Sequence, residues 1–125
     1  MEKWETWYPN GSERVSKSIG DLQRFEALEG NLFIAIEFAT GVAHLQFQRV
    51  LAFRVHLEEC VPEVWAKIHA NSPVKWTFWE IRNSTWIAER EATGGLALYP
   101  KVRHFALVTE QKLIEILAPS EPIIG

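Results

Sequence analysis

Apolar and polar positions alternate strictly through the middle of the chain. In residues 31–38, Leu32, Ile34, Ile36 and Phe38 fall on one face, with Phe33, Ala35 and Glu37 on the other. This is the period-two pattern of a strand with one buried side. Thr40-Gly41 interrupts it, where Gly41 can take the positive φ of a tight turn. Alternation then resumes, with Ala43, Leu45 and Phe47 inward against His44, Gln46 and Gln48, so these two strands are expected to pair as a hairpin. The same odd parity continues through Leu51, Phe53, Val55 and Leu57, with Ala52, Arg54, His56 and Glu58 opposite, but Arg49 and Val50 break it. One strand from 42 to 57 would exceed the usual length of about 3–10 residues, so a bulge or sharp bend near Arg49 is predicted. Further strands are predicted from Val74 to Ile81, and as a hairpin of Lys101 to Val108 with Lys112 to Ala118 around Thr109-Glu110-Gln111.

Two short helices are expected between the strands. Val61-Pro62-Glu63 places a proline and an acid in a first turn, followed by Val64, Trp65 and Ile68 on one stripe. Asn83-Ser84-Thr85 can cap a second helix through Trp86 and Ile87, ending at Gly94-Gly95. In residues 1–30, Ile19, Leu22 and Phe25 recur at helical spacing, while Gly20 and Gly30 argue against a long helix. The pattern as a whole predicts an α+β fold: a curved, mainly antiparallel sheet of about five to six strands with one or two short helices. Within a single domain spanning 1–125, residues 1–30 form a variable N-terminal segment, 31–118 a sheet-rich body and 119–125 an extended tail.

Composition changes this picture little. A chain of 125 residues with 47% hydrophobic and 23% charged residues has room for one core and is neither disordered nor fibrous. The net charge is -3, and acids and bases mix in every stretch, so no basic arm is present to bind nucleic acid. The longest apolar run, Leu32 to Ala39, is interrupted by Glu37, which is too short to cross a membrane. Met1 to Glu5 lacks the basic and apolar regions of a secretory signal. Cys60 is the one cysteine, so no intrachain disulfide forms; both features suit a cytoplasmic protein.

The search for chemistry is mostly negative. No pair among His44, His56, His69 and His104, or with Cys60, has the helical spacing of a zinc motif, so neither metal nor cofactor is expected. No serine sits in Gly-x-Ser-x-Gly, Glu58 and Glu59 beside Cys60 disfavour a thiolate, and Asp21 is the sole aspartate. The residues left with a functional reading are an outward cluster of His44, Arg54 and His56, and the aromatic and acidic groups that could contact a partner. Trp4, Trp7 and Tyr8 can either fold over the sheet or anchor such a partner.

The succession from Leu45 to Val55, Glu58-Glu59, the run Trp79 to Ile87, and the hairpin His104 to Thr109 with Leu113 to Ala118 resembles small bacterial immunity proteins of polymorphic toxin systems. The F-x-x-V-x-A-F-R stretch (Phe47 to Arg54), the S-x-W-I helix start (Ser84 to Ile87) and the H-F-x-L-V-T hairpin (His104 to Thr109) carry the likeness over residues 30–119. It implies a non-catalytic protein that binds and blocks a cognate toxin. Mild acidity would steer it to a basic partner, with Glu58, Glu59, Glu63, Glu89 and Glu91 at the interface and Trp7, Tyr8 or Trp86 as aromatic anchor. Two other readings stand beside it: a ligand-binding or enzymatic β module built on His44, Arg54 and His56, and a homodimer or larger homo-oligomer joined through an exposed sheet edge.

Overall fold

The computed structural model describes residues 2–8, 19–57, 76–96, 99 and 101–125. Among these the elements are β1 (Lys3–Thr6), β2 (Asp21–Leu28), β3 (Asn31–Phe38), β4 (Gly41–Phe47), β5 (Ala52–Leu57), β6 (Phe78–Arg82), α1 (Thr85–Ala92), β7 (Arg103–Val108), β8 (Lys112–Ala118) and β9 (Ile123–Ile124). They form two sheets, β1-β6-β7-β8-β5 and β2-β3-β4-β9, in which all neighbouring strands are antiparallel. Strand accounts for 59% of the described residues, and the sheets they form are not closed. The architecture is thus mainly β, not the α+β arrangement on one curved sheet that the pattern predicts. The predicted helix after Val61 lies outside the described residues.

The two sheets face one another across a shared core. Leu32, Ile34, Ile36 and Phe38 from β3 and Ala43, Leu45 and Phe47 from β4 pack with Phe78, Phe105, Leu107, Ile114 and Ile116 of the other sheet. Phe38 lies 6.0 Å from Phe78 and Phe47 lies 5.5 Å from Phe105, ring centre to ring centre. The alternation predicted for β3 and β4 is the alternation observed, because each strand has one face on this core and one away from it.

The bend predicted near Arg49 is the corner between the layers. Arg49 has φ 55°, and the residues after it hydrogen bond to both sheets: Val50 N–H donates to Gly30 C=O at 2.8 Å and Leu51 N–H to Leu117 C=O at 2.9 Å. Odd-numbered residues therefore keep facing the other sheet from β4 into β5. Their burial is lost, however, because β5 is an edge strand: Phe53, Val55 and Leu57 are 42%, 39% and 52% exposed.

Residues 19–28 correct the helical spacing read there. The β2–β3 register shifts between Leu22 and Arg24, which places Leu22 opposite Ile36 and Phe25 opposite Ile34. An extra residue in a strand flips its parity, so two apolar residues three apart both reach the core and imitate a helix. The β2–β3 turn, Glu29 at φ 51° and Gly30 at φ 79°, has two consecutive positive φ values, the backbone signature of a two-residue type I′ hairpin.

Both chain ends are built in. β1 pairs with β6 from Lys3 opposite Arg82 to Thr6 opposite Trp79. In the predicted tail, β9 pairs with β4, and His44 and Gly125 exchange backbone hydrogen bonds at 3.3 and 2.9 Å. Among the described residues no helix is long and apolar enough to cross a membrane.

Candidate functional site

The face of the five-stranded sheet turned away from the other layer carries a buried polar network on the strands β5, β7 and β8 and the start of α1. Register puts Arg54 directly opposite Glu115. His56 lies diagonally across from Glu115 on one neighbouring strand and His104 on the other. Glu115 is 5% exposed and His104 is 1% exposed.

Glu115 is saturated by four contacts. Arg54 grips it with two hydrogen bonds, Nε to Oε2 at 2.7 Å and a terminal nitrogen to Oε1 at 3.0 Å. His56 Nε2 lies 2.9 Å from Oε2 and His104 Nε2 lies 2.9 Å from Oε1. An ionised carboxylate only accepts, so both imidazoles present Nε2–H to it. On His104 this leaves Nδ1 for Ser84, whose Oγ is 2.7 Å away. Ser84 is the N-cap of α1, and its Oγ accepts from Ile87 N–H at 3.1 Å. The hydroxyl thus bridges the His104 ring and the first turn of the helix.

Trp86 packs on this network from α1, edge-on to His104 at 5.4 Å, with the Arg54 guanidinium 4.1 Å from its ring centre. The opposite face holds a second clamped acid: Glu80, 4% exposed, takes two 2.8 Å hydrogen bonds from Arg103.

Burial pushes the Glu115 carboxyl up, but the hydrogen bonds and charge of His104 and Arg54 outweigh it and hold its pKa at about 2, against an ordinary 4.5. A depressed folded-state pKa stabilises the fold above the unfolded pKa, and that contribution disappears as pH falls through the folded value. Stability is therefore expected to drop between about pH 5 and pH 2, by up to about 3 kcal/mol from this group. Urea unfolding at stepped pH checks this. Replacing Glu115 by Gln should flatten the acid limb; an unchanged limb would place the titration elsewhere.

Ser84, His104 and Glu115 follow one another in the order of a nucleophile, base and acid, on a strand-to-helix turn where Asn83 has φ 53°. A cleft of about 450 Å3 lined by Ser84, His104, Arg82 and Ile87 adjoins them. The groups are nonetheless committed to each other. Ser84 is 7% exposed, the Glu115 carboxylate is shared with Arg54 and His56, and Thr85 N–H, beside the serine, already donates to Glu2 at 2.8 Å. As built, the relay ties α1 to the sheet.

The sequence-predicted sites are placed as follows. Arg54 and His56 do converge, but His44 does not join them: it belongs to the other sheet, opposite Ala35, and lines a separate pocket with Arg24 and Gln46. Their shared outward parity put them together, whereas the corner at Arg49 sends them to different layers. Trp7, 7% exposed, and Trp86, 8% exposed, are internal residues and not exposed anchors, because one closes the core and the other covers His104. Tyr8 is 62% exposed and rests on Trp76 at 4.9 Å. Glu89 and Glu91 are exposed on α1, while Glu58, Glu59 and Glu63 lie outside the described residues. Among the described residues no group of three or more side chains is arranged to hold a metal ion.

No family model, curated protein or solved structure matches the chain. The geometry stands as the guide to function.

Proposed function

We propose that this protein is a binding protein with no chemistry of its own, an immunity-type inhibitor that docks on a toxin protein and neutralises it. The observation that carries the reading is the contrast between its interior and its flank. The buried polar groups that could react, Ser84, His104, Glu115 and Glu80, are consumed by internal hydrogen bonds, whereas among the described residues β5 pairs with β8 alone and carries three exposed apolar side chains. An exposed apolar edge on a stable sandwich suits pairing with another chain. The likeness of residues 30–119 to immunity proteins points the same way.

The test is co-expression with the toxin encoded beside its gene. The protein should protect cells from that toxin and co-purify with it as a stoichiometric complex. Cells killed at undiminished rate, with no complex formed by the folded protein, would end this reading.

A further inference from the structure

β6 and β7 are paired neighbours, from Phe78 opposite Leu107 to Ile81 opposite His104, and α1 lies in the connection between them. The ladders of the described strands run past the helix, not through it, so lifting it from the face leaves both sheets paired. An isolated helix shorter than about 12–15 residues is marginal in water, and α1 has eight. It depends on what ties it down.

Those ties are few. Trp86 is the buried residue of the helix; Ile87 and Arg90 are half-buried and the others exposed. Ser84 reaches His104 at 2.7 Å, and Glu2 accepts from Thr85 N–H. The bonds that hold Glu115 come from Arg54, His56 and His104, all on strands, so the carboxylate keeps these partners when the helix leaves. The last turn serves its own carbonyls: Gly94 N–H donates to Glu91 C=O at 3.0 Å and Gly95 N–H to Arg90 C=O at 2.8 Å, a Schellman closure that lets the helix move as a unit. One group opposes docking. Arg90 Nε is buried with no hydrogen-bond partner, a donor withdrawn from water with nothing in exchange.

We propose that α1 is a hinged flap: residues 84–95 swing off the five-stranded sheet as one unit while the sandwich stays folded, uncovering Trp86, His104 and Glu115. Asn83 and Gly95 bracket the unit, and Leu96, 6% exposed, fixes the chain beyond it; such element-terminal positions absorb hinge rotation. Opening gives up one indole and one cap, whereas global unfolding gives up the whole core, so the flap opens far more often than the fold. It gates solvent access to the network that the closed form seals, and it does so in the protein alone, whatever partner the surface binds.

Native-state hydrogen exchange of the 15N-labelled full chain, in rising urea below the unfolding transition, tests the flap. The amides of Ala88 to Ala92 should share one protection, at least about tenfold below that of β7 and β8, with a common urea dependence shallower than that of global unfolding. Trp86→Ala should speed their exchange by at least about another tenfold, and Ser84→Ala by about fivefold, with β7 and β8 unchanged. Ser84→Ala leaves Trp86 in place and carries the test if Trp86→Ala does not fold. Diethyl pyrocarbonate, with the modified histidines mapped by peptide mass spectrometry, should reach His104 in the folded protein faster than global unfolding exposes it. Protection of α1 equal to that of β7 and β8 would mean that the helix leaves only with the whole fold. Scattered protection with no urea dependence would mean that its ends merely fray. Either result overturns the flap, as does a His104 that reacts only at the rate of global unfolding.

Discussion

Replacing Glu115 by alanine is expected to lower the free energy of unfolding by about 3–5 kcal/mol, the cost of removing one member of a buried ion pair. The figure is large because of what the carboxylate leaves behind. Arg54 loses both hydrogen bonds and His104, 1% exposed, loses its only acceptor on Nε2. Arg54 can turn partly to water, its side chain being 42% exposed, but His104 is held under Trp86 and cannot. Glu115→Gln keeps the shape and one acceptor oxygen and should lose less. The double change Glu115→Leu with Arg54→Met removes both charges together and should recover the part of the loss that comes from the unpaired guanidinium, while the part that comes from the unmet Nε2–H of His104 remains. Urea denaturation at neutral pH measures all three. A loss below about 1 kcal/mol for Glu115→Ala would mean that the group behaves as an exposed pair, contrary to its burial.

The strands whose two faces see different surroundings were legible residue by residue. β3 and β4 alternate because only one side meets the core, and β8 was bounded at Lys112 and Ala118 by the turn chemistry of Thr109, whose hydroxyl accepts from Lys112 N–H at 3.0 Å. The pattern failed where geometry breaks parity. The bulge between Leu22 and Arg24 made β2 look helical, and the β2–β3 turn carries Glu29 where an asparagine or glycine would have announced it. In β5 the parity was right but the burial was not, since periodicity cannot tell an edge strand from a central one. The polar network was invisible for another reason: Ser84, His104 and Glu115 come together only through strand register. One signal did exist. Glu115 is a lone acid inside Leu113-Ile114-Ile116-Leu117, and an acid in an unbroken apolar run is rarely buried unless paired. Arg54, at the matching parity of an adjoining strand, was the partner to look for.

Trp7→Ala is expected to cost about 3–5 kcal/mol, the range for truncating a buried aromatic, although the residue directly follows β1, near the N-terminus, where fraying would ordinarily make substitutions cheap. Three indoles explain the difference. Trp7 Nε1–H donates to Trp79 C=O at 3.0 Å, Trp79 Nε1–H to Trp76 C=O at 2.9 Å, and Trp76 Nε1–H to Trp7 C=O at 3.0 Å. Each ring thus finds the acceptor that a buried indole requires, and the three bonds close a cycle joining residue 7 to residues 76 and 79. Trp7 also meets Phe78 and Phe105 edge-on at 5.3 and 5.4 Å. Alanine removes the ring contacts and one link, opening a cavity against the core, whereas the link from Trp76 ends on the Trp7 backbone and survives the change. Trp7→Phe keeps most of the ring and loses the one indole donor, so its cost should be about 1 kcal/mol. The pair of variants, compared by thermal and urea unfolding, separates packing from hydrogen bonding. Hydrogen exchange locates the effect: with alanine, the amides of residues 3–6 should lose protection along with β6. If β1 frays alone while the global stability holds, the tryptophan cycle merely decorates the edge, and the N-terminal strand is an independent unit.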